Sequence, residues 1–368
     1  MLALILILVT VLLTMAVFYL KCEVLTSITT LLSSVFGIIA ALGFHEILGR
    51  FILSKGYGGE HAYWASALIL FVVVFAVLRT AAFQILNPKI EFSPIIKQVT
   101  SIVCGGLCGL LISGMLLIVL GMSPASGSLS YSRYNLAGAV NPDRPDLLLI
   151  NTDGWVSGLF SWISHGSLSG KSSYALYHPD PLNQIHLNRA KGAFPIAGKQ
   201  ALKLPGKNYI RQREVADKSG DKSMVVVRMG LNQQSFKSGG AGNAEGNLTL
   251  AFGQIRMICG PKGNTEGTGV GTPIYPAGFV VKNKLEEKNL GEVITLDRKE
   301  AQDLRYGNAV WKDIAFLVPS NLTPKLLNYK YNVFFKLDPV VPGTEEIEQE
   351  LNAPSQPQNT EGDNSGQQ

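Results

Sequence analysis

The residues with the clearest chemical potential are His45 and Glu46, which form the first half of the zinc-protease motif H-E-x-x-H. That motif binds Zn²⁺ through two histidines one helical turn apart and uses the glutamate as a general base. Position 49 is glycine, so the second histidine ligand is missing. The pair therefore does not predict an intramembrane metalloprotease.

A second group of metal-ligand types lies in one proline-rich loop and consists of His178, Asp180 and His186. Structural zinc sites use Cys and His ligands at regular spacing, and three mixed ligands at irregular spacing usually arise by coincidence. We therefore predict no metal and no cofactor.

Nucleophilic residues are equally isolated. Ser157 lies in G-W-V-S-G, which is not the G-x-S-x-G nucleophile elbow. Cys104 and Cys108 are four residues apart in an apolar run without an accompanying histidine or third cysteine, which favours packing over metal binding. Since no nucleophile lies in a recognisable pattern with a base, we predict that the chain is not an enzyme.

The distribution of charge divides the chain into an apolar and a polar part. The first 122 residues carry six basic and four acidic side chains, out of 32 basic and 27 acidic in the whole chain. Each apolar run there approaches the roughly 20 residues that a helix needs to cross hydrocarbon. We therefore predict a four-helix membrane domain over residues 1–122, with spans at Met1–Leu20, Val24–Phe44, Ala62–Leu78 and Gln98–Met122.

Small residues recur at helical spacing in two of these spans. The fourth span carries Ser101, Gly105, Gly109 and Ser113 every four residues, and the second span carries Thr30 and Gly37 among similar residues. Helices in lipid associate where small residues let backbones touch and where hydroxyls bond across the interface. The pattern predicts helix packing within one chain or between copies of it.

Three polar residues, His45, Glu46 and Arg79, lie near the predicted ends of spans. Charged groups there can anchor the protein at the membrane surface or line a polar path through it. The count of basic residues flanking the spans favours both termini outside the cytoplasm, because the end with more Lys and Arg is usually cytoplasmic. The end away from the termini carries four such residues, and the other end carries three. The four are Lys21, Arg79, Lys89 and Lys97, and the three are Arg50, Lys55 and Arg133.

Residues 123–205 are rich in Ser, Gly, Asn and Pro and predict a membrane-proximal connector. One short amphipathic helix is expected at Gly154–His165, where Trp155, Leu159, Phe160 and Ile163 recur at helical intervals. Its apolar face could lie on the bilayer surface or on the soluble domain.

Residues 206–342 change to strand-like periodicity. β-branched and aromatic runs are separated by turn residues, and from Tyr329 to Leu337 apolar and polar residues alternate. Such strands without intervening helices predict an antiparallel β-sandwich large enough for its own core. Residues 343–368 hold six of the acidic side chains and no basic ones, which predicts a disordered tail.

The membrane part resembles a known family in four features. These are four helices within about 120 residues, a third helix ending in FAVLRTAA (Phe75–Ala82), an extended Asn87–Pro94 link and the glycine-dense segment IVCGGLCGLLISGMLL (Ile102–Leu117). Together they resemble the colicin V production (CvpA-like) proteins of the bacterial inner membrane. The short arginine-and-glycine signature expected after the first span of that family is here only Lys21-Cys22-Glu23.

The resemblance implies a non-enzymatic scaffold or accessory protein in envelope maintenance or in bacteriocin and toxin export, with a periplasmic β-sandwich. The partners expected are membrane lipids, further copies of the chain, and envelope or export proteins, but no nucleic acid. The alternative from the residues themselves is an oligomeric channel or transporter component, whose pore would be lined by hydroxyls of the second and fourth spans.

Overall fold

The architecture comes from a computed structural model of the 368-residue chain. The residues it describes are 2–86, 92–123, 133–135, 140–145, 147, 150–165, 173–188, 202–213, 221–232, 247–263, 269–281, 284–297, 299, 309–330 and 333–352.

Four helices, each long and apolar enough to cross a membrane, form the N-terminal part of the described chain. They are α1 (Leu2–Lys21), α2 (Val24–Ser54), α3 (Ala62–Ile85) and α4 (Pro94–Met122). The prediction of four long apolar helices in this part of the chain is confirmed. The second helix is longer than its apolar run, because it continues through polar residues to Ser54 and has 31 residues, or about 46 Å.

Short connections alternate the direction of these helices. Only Cys22 and Glu23 separate α1 from α2, and residues 55–61 separate α2 from α3. One end of the bundle therefore contains the start of α1 and the ends of α2 and α4. The remainder of the described chain packs at this end.

Four further helices follow, namely α5 (Thr152–His165), α6 (Tyr174–Tyr177), α7 (Pro181–Asn188) and α8 (Glu345–Asn352). Asn151 caps α5, since its Oδ1 accepts a hydrogen bond from the backbone N–H of Gly154 at 3.1 Å. The predicted amphipathic helix is thus present and begins at Thr152. Within the acidic tail, α8 begins after Thr344, whose Oγ1 accepts from the N–H of Ile347 at 3.4 Å, and its acidic first turn suits a helix N-terminus. Residues 353–368 lie outside the described part.

The region after α7 is mostly β. Its strands are β1 (Leu202–Lys203), β2 (Ile210–Arg213), β3 (Lys222–Asn232), β4 (Leu248–Ala251), β5 (Ile255–Pro261), β6 (Thr272–Ile274), β7 (Pro276–Val281), β8 (Lys284–Glu287), β9 (Val293–Leu296), β10 (Ala309–Pro319), β11 (Leu322–Tyr329), β12 (Val333–Lys336) and β13 (Val341–Pro342).

Among the described residues these strands form three sheets. The largest has the order β13-β2-β3-β10-β7-β8, with β1 also paired to β3. The second has the order β12-β11-β5-β6, and β4 pairs with β9. The largest sheet is mixed rather than wholly antiparallel as predicted, because β13 runs parallel to β2, whereas the pairings in the other two sheets are antiparallel.

One hydrophobic core draws residues from all three sheets. Val227 and Phe316 come from the largest sheet, Met257 and Leu327 from the second, and Leu250 from the β4–β9 pair, and all five are buried. The β region therefore has an apolar interior of its own.

The expected alternating strand from Tyr329 to Leu337 is interrupted. β11 ends at Tyr329, and Lys330 adopts a left-handed backbone with φ of 54°. β12 then returns antiparallel, with Tyr329 opposite Val333. The prediction missed this turn because lysine is not a residue that signals a left-handed conformation.

Candidate functional site

The small residues of α4 lie against α1. A Cβ built on Gly105 would be 3.0 Å from Cα of Met15, and one on Gly109 would be 2.7 Å from Cα of Val11. Backbones this close leave no room for a larger residue. Ser113 is buried, and its Oγ donates to the carbonyl of Leu110 within the same helix at 2.9 Å.

The small residues of α2 face two different neighbours. Ser27 faces α4, because its Oγ lies 3.5 Å from Oγ of Ser101. Gly37 faces α3, where a Cβ would meet the ring of Phe71 at 3.2 Å. Thr30 donates to the carbonyl of Thr26 in its own helix at 2.7 Å.

The structure separates Arg79 from the other two polar candidates. Arg79 is exposed near the end of α3, whereas His45 and Glu46 lie in the half of α2 that faces the β region. His45 is fully buried, and its Nδ1 donates to the carbonyl of Ala41 at 3.1 Å, since a carbonyl can only accept.

Glu46 makes the contact that connects the two halves of the chain. Its Oε1 lies 2.7 Å from Nε2 of His178, which is buried in the segment between α6 and α7. The other nitrogen of this ring, Nδ1, lies 2.6 Å from Oε1 of Gln184. Glu46 also faces Arg50, but at 3.9 Å and on an exposed side of the helix.

The hydrogen bonds of His178 continue through Gln184 to Asn328 and Arg256. Their directions follow from Arg256, because its guanidinium can only donate. Its Nε donates to Oδ1 of Asn328 at 2.7 Å, so the Asn328 amide nitrogen points the other way and donates to the carbonyl of Val333 at 3.1 Å. Gln184 Nε2 faces the same Asn328 oxygen at 3.3 Å, which directs Oε1 of Gln184 at His178. The ring must therefore donate from Nδ1.

The donor role of Nδ1 limits where a proton can lie between Nε2 of His178 and Glu46. With Nδ1 donating, a neutral ring carries no proton on Nε2, and Oε1 of Glu46 would have no donor. A second proton shared by His178 and Glu46 completes the arrangement, either as an imidazolium facing a carboxylate or as a carboxylic acid facing a neutral ring. We call the set Glu46, His178, Gln184, Asn328 and Arg256 the polar chain.

Asp180 anchors the far end of the polar chain. Its carboxylate forms an ion pair with Arg256, whose side chain is 2 % exposed, and it accepts a hydrogen bond from the hydroxyl of Tyr275. Burial, together with the adjacent Asp180 carboxylate, raises the pKa of Tyr275 well above its ordinary value, so the phenol remains a donor. A buried arginine needs such a counter-charge, because an unpaired buried charge is strongly destabilising.

Aromatic rings enclose the His178 end. Tyr174 lies over the imidazole with ring centroids 4.9 Å apart, and Phe334 of β12 meets it edge-on at 5.3 Å. Phe160 of α5 packs edge-on against Tyr174 at 4.7 Å. His178 is therefore held by α2, by α5 through Tyr174, and by the β region.

A second contact fixes α5 to the bundle. A Cβ on Gly114 would lie 2.7 Å from Cγ2 of Val156 and closer still to the backbone of Thr152. At the start of α5, Arg133 pairs with the fully buried Asp153 at 2.8 Å. The segment predicted as a connector thus contributes a helix that packs tightly on α4.

A cavity of about 460 Å³ opens between α5 and the start of α7, and its lining includes Arg133, Ser157, Trp162, His165, Asp180 and Asn183. Both charged residues in this set already have ion-pair partners. The rest of the lining combines hydroxyl, amide and aromatic groups with the apolar side chains of Leu182 and Val270. Within the described residues no cluster of His, Cys, Asp and Glu could hold a metal ion.

The sequence prediction missed most of the polar chain. The sequence suggests His178 and Asp180 only as possible metal ligands, and it gives no reason to select Gln184 or Asn328. Arg256 carried a usable signal, because it interrupts the apolar run Ile255–Ile258 and a buried arginine requires a carboxylate. Its partner lies 76 residues away, so the pairing itself had no local signature.

The fold and the polar chain define a class: a protein with four helices long and apolar enough to span a membrane, whose mostly β region is held against one end of the bundle by contacts that include buried polar groups. Comparison with protein-family models, with curated proteins and with solved structures found no match.

Proposed function

We propose that this chain is a membrane-anchored scaffold or accessory protein of the CvpA-like kind, acting in envelope maintenance or export. In this proposal the β region packs as a sandwich on the periplasmic side of a bacterial inner membrane and binds other envelope proteins. Its contribution is binding rather than catalysis.

The observation that carries the proposal is the contact between Glu46 and His178. A carboxylate on a membrane helix meets a buried histidine at 2.7 Å, and the hydrogen bonds continue to Arg256 inside the β region. A β region on a flexible linker would not need such a contact. A fixed orientation relative to the bilayer supports a role in presenting a binding surface.

Packing within the bundle favours the scaffold over the channel. The glycines of α4 are covered by Met15 and Val11 of the same chain, and Gly37 is covered by Phe71. These faces, which a channel would use to assemble copies around a pore, are therefore occupied within one copy.

Chemical crosslinking of the full chain in native membranes, followed by purification and identification of captured proteins, tests the scaffold. We expect a reproducible set of envelope proteins for the wild type and a reduced set for Glu46→Ala, which removes the central contact. The matched control Arg50→Ala should behave as wild type, since Arg50 is exposed and lies 3.9 Å from Glu46.

Ion flux through purified protein in liposomes separates the two functions. Selective conductance by the wild type, together with no reproducible capture in membranes, would replace the scaffold with the channel.

A further inference from the structure

Helix α5 has apolar residues on two opposite faces. Val156 and Phe160 are buried against the bundle, being 0 % and 3 % exposed. Trp155 and Trp162, seven residues apart and hence on one side of the helix, are 58 % and 73 % exposed. We call this side the tryptophan face.

The tryptophan face itself contains no Lys, Arg, Asp or Glu, although Trp162 also lines the cavity that Arg133 and Asp180 border. The acidic residue of α5, Asp153, is buried and paired with Arg133, and the helix contains no Lys or Arg. A water-facing helix normally presents charged side chains on its outer side. Two exposed indole rings without charged side chains on the same face of the helix are typical of a surface that contacts lipid or another protein.

The position of α5 on the bundle identifies the neighbouring medium. α5 contacts α4 at Gly114 and α2 at Gly43, where a Cβ would lie 3.7 Å from the ring of Phe160. Gly43 is next to the end of the apolar run of α2, immediately before His45 and Glu46. On α4, Gly114 lies eight residues before the end of the helix at Met122, so α5 packs beside the final turns of both apolar runs, near the hydrocarbon boundary.

Exposed apolar residues of α2 follow Gly43, the residue of α2 that contacts α5. Phe44 and Ile47 are 56 % and 60 % exposed, as expected for side chains that face lipid. Tryptophan concentrates at this level in membrane proteins, since its ring is apolar and its N–H can reach the headgroups.

We propose that the tryptophan face of α5 is buried in the interfacial layer of the lipid bilayer, so that α5 lies along the membrane surface as an amphipathic anchor. The occupant of this face is the lipid itself. The proposal requires that the four helices span a bilayer and does not depend on the scaffold function.

The inner side of α5 connects this anchor to the polar chain. Phe160 packs on Tyr174, and Tyr174 lies over His178. Two aromatic rings, those of Phe160 and Tyr174, therefore lie between the lipid-facing side of α5 and the imidazole of His178. Insertion of α5 into the membrane surface would therefore keep the His178 ring within hydrogen-bonding distance of Glu46.

Tryptophan fluorescence tests the proposal on the full chain in liposomes. The chain has four tryptophans, so variants that retain only one can be made by replacing the others with Phe. Trp64, at the start of α3, serves as the membrane control, and Trp311 of β10 serves as the control away from lipid. The quenchers are phosphatidylcholine brominated near the headgroup end of its acyl chains, and iodide in the water.

We expect Trp155 and Trp162 to lose emission to brominated lipid as Trp64 does, while Trp311 does not. Quenching by iodide but not by lipid would overturn the proposal. Quenching by neither would also overturn it, because a second copy or another protein segment would then cover the face.

A wild-type experiment avoids dependence on the folding of the variants. Liposomes containing a phospholipid with a photoactivatable group at the top of its acyl chain are irradiated, and the labelled peptides are mapped. Label within Thr152–His165 is expected, and its absence when the spans are labelled would contradict the proposal.

Discussion

His178 contacts Glu46 through Nε2 at 2.7 Å while its Nδ1 faces Gln184 at 2.6 Å, so both nitrogens of one buried ring point at oxygen atoms. Because a carboxylate can only accept, a hydrogen bond at this contact requires a proton on Nε2 of His178 or on Glu46. The contact also joins a membrane helix to a segment more than 130 positions later in the chain. This pair joins the two halves of the protein alongside the packing of α5 on Gly114.

Replacing Glu46 with Ala should weaken the attachment of the β region to the bundle. A double-mutant cycle of Glu46→Ala and His178→Ala in detergent should give a coupling free energy of about 1–3 kcal/mol from denaturant unfolding. Arg50→Ala should change stability by less than about 0.5 kcal/mol, because it removes only an exposed ion pair. Additive effects of the two Ala substitutions would show that the contact contributes nothing to stability.

Replacing Gly105 and Gly109 together with Leu should disrupt the packing of α4 on α1. Each leucine would have to enter the backbone of α1, so we expect the thermal unfolding temperature in detergent to fall by several degrees. The matched control is Gly106→Leu, where a Cβ would meet only the flexible end of Met15 at 3.8 Å. Equal unfolding temperatures for the double variant and the wild type would mean that the two helices are not in close contact.

Lys330 should make the stability of the β region depend on pH. Its side chain is buried, and this burial lowers the pKa of the ammonium group to about 8. The Tyr329 ring, whose centroid lies 5.5 Å from Nζ, acts in the opposite direction because it favours the charged form. The unfolded chain keeps this lysine protonated up to roughly pH 10.4, so the unfolded state binds more protons above pH 8. Stability should therefore increase by about 2 kcal/mol from pH 7.5 to pH 9.5.

Denaturant unfolding at the two pH values measures this increase. Lys330→Met keeps the length of the side chain, removes the charge, and should make the protein more stable at pH 7.5 and flatten the increase. Lys336→Met, at an exposed position of β12, should leave the increase unchanged. A wild type whose stability falls across this range would mean that other groups outweigh Lys330.

An Asp at Val333 should unfold the β region. Val333 is 1 % exposed and belongs to the shared core, so an unpaired carboxylate there costs several kcal/mol against a typical domain stability of roughly 5–15 kcal/mol. Loss of the β signal in circular dichroism of the full chain is the expected result. Lys336→Gln changes the net charge by the same amount at an exposed position, and comparable damage from both would mean that Val333 does not face the core.

A reporter fused to the C-terminal end of the chain tests the orientation. Among the basic residues that flank the helices, Lys21, Arg79, Lys89 and Lys97 at the far end outnumber Arg50, Lys55 and Arg133 at the other end, which favours the β region outside the cytoplasm. A reporter that works only outside should therefore be active. Activity of one that works only in the cytoplasm would reverse the orientation.

Hydropathy predicted the membrane helices because a long apolar run is a local property of the sequence. The predicted span ends at Phe44, whereas α2 continues as a helix to Ser54 through polar residues such as Glu46, which finds a partner in His178. Such partners come from distant segments and leave no local pattern. The alternation around Asn328 and Lys330 likewise suggested a water-facing side, but both residues are buried, in contact with Gln184 of α7.

The parallel pairing of β13 with β2 constrains the order of assembly. Val341 pairs with Arg211, which is about 130 residues earlier, so the outer edge of β2 stays bare until nearly all of the β region has been synthesised. A bare strand edge is a template for pairing with other chains. Once in place, Pro342 ends β13 with a residue that has no N–H to donate, which blocks further strand addition. β13 thus protects the β2 edge of the largest sheet from strand addition, while β8 forms the opposite edge.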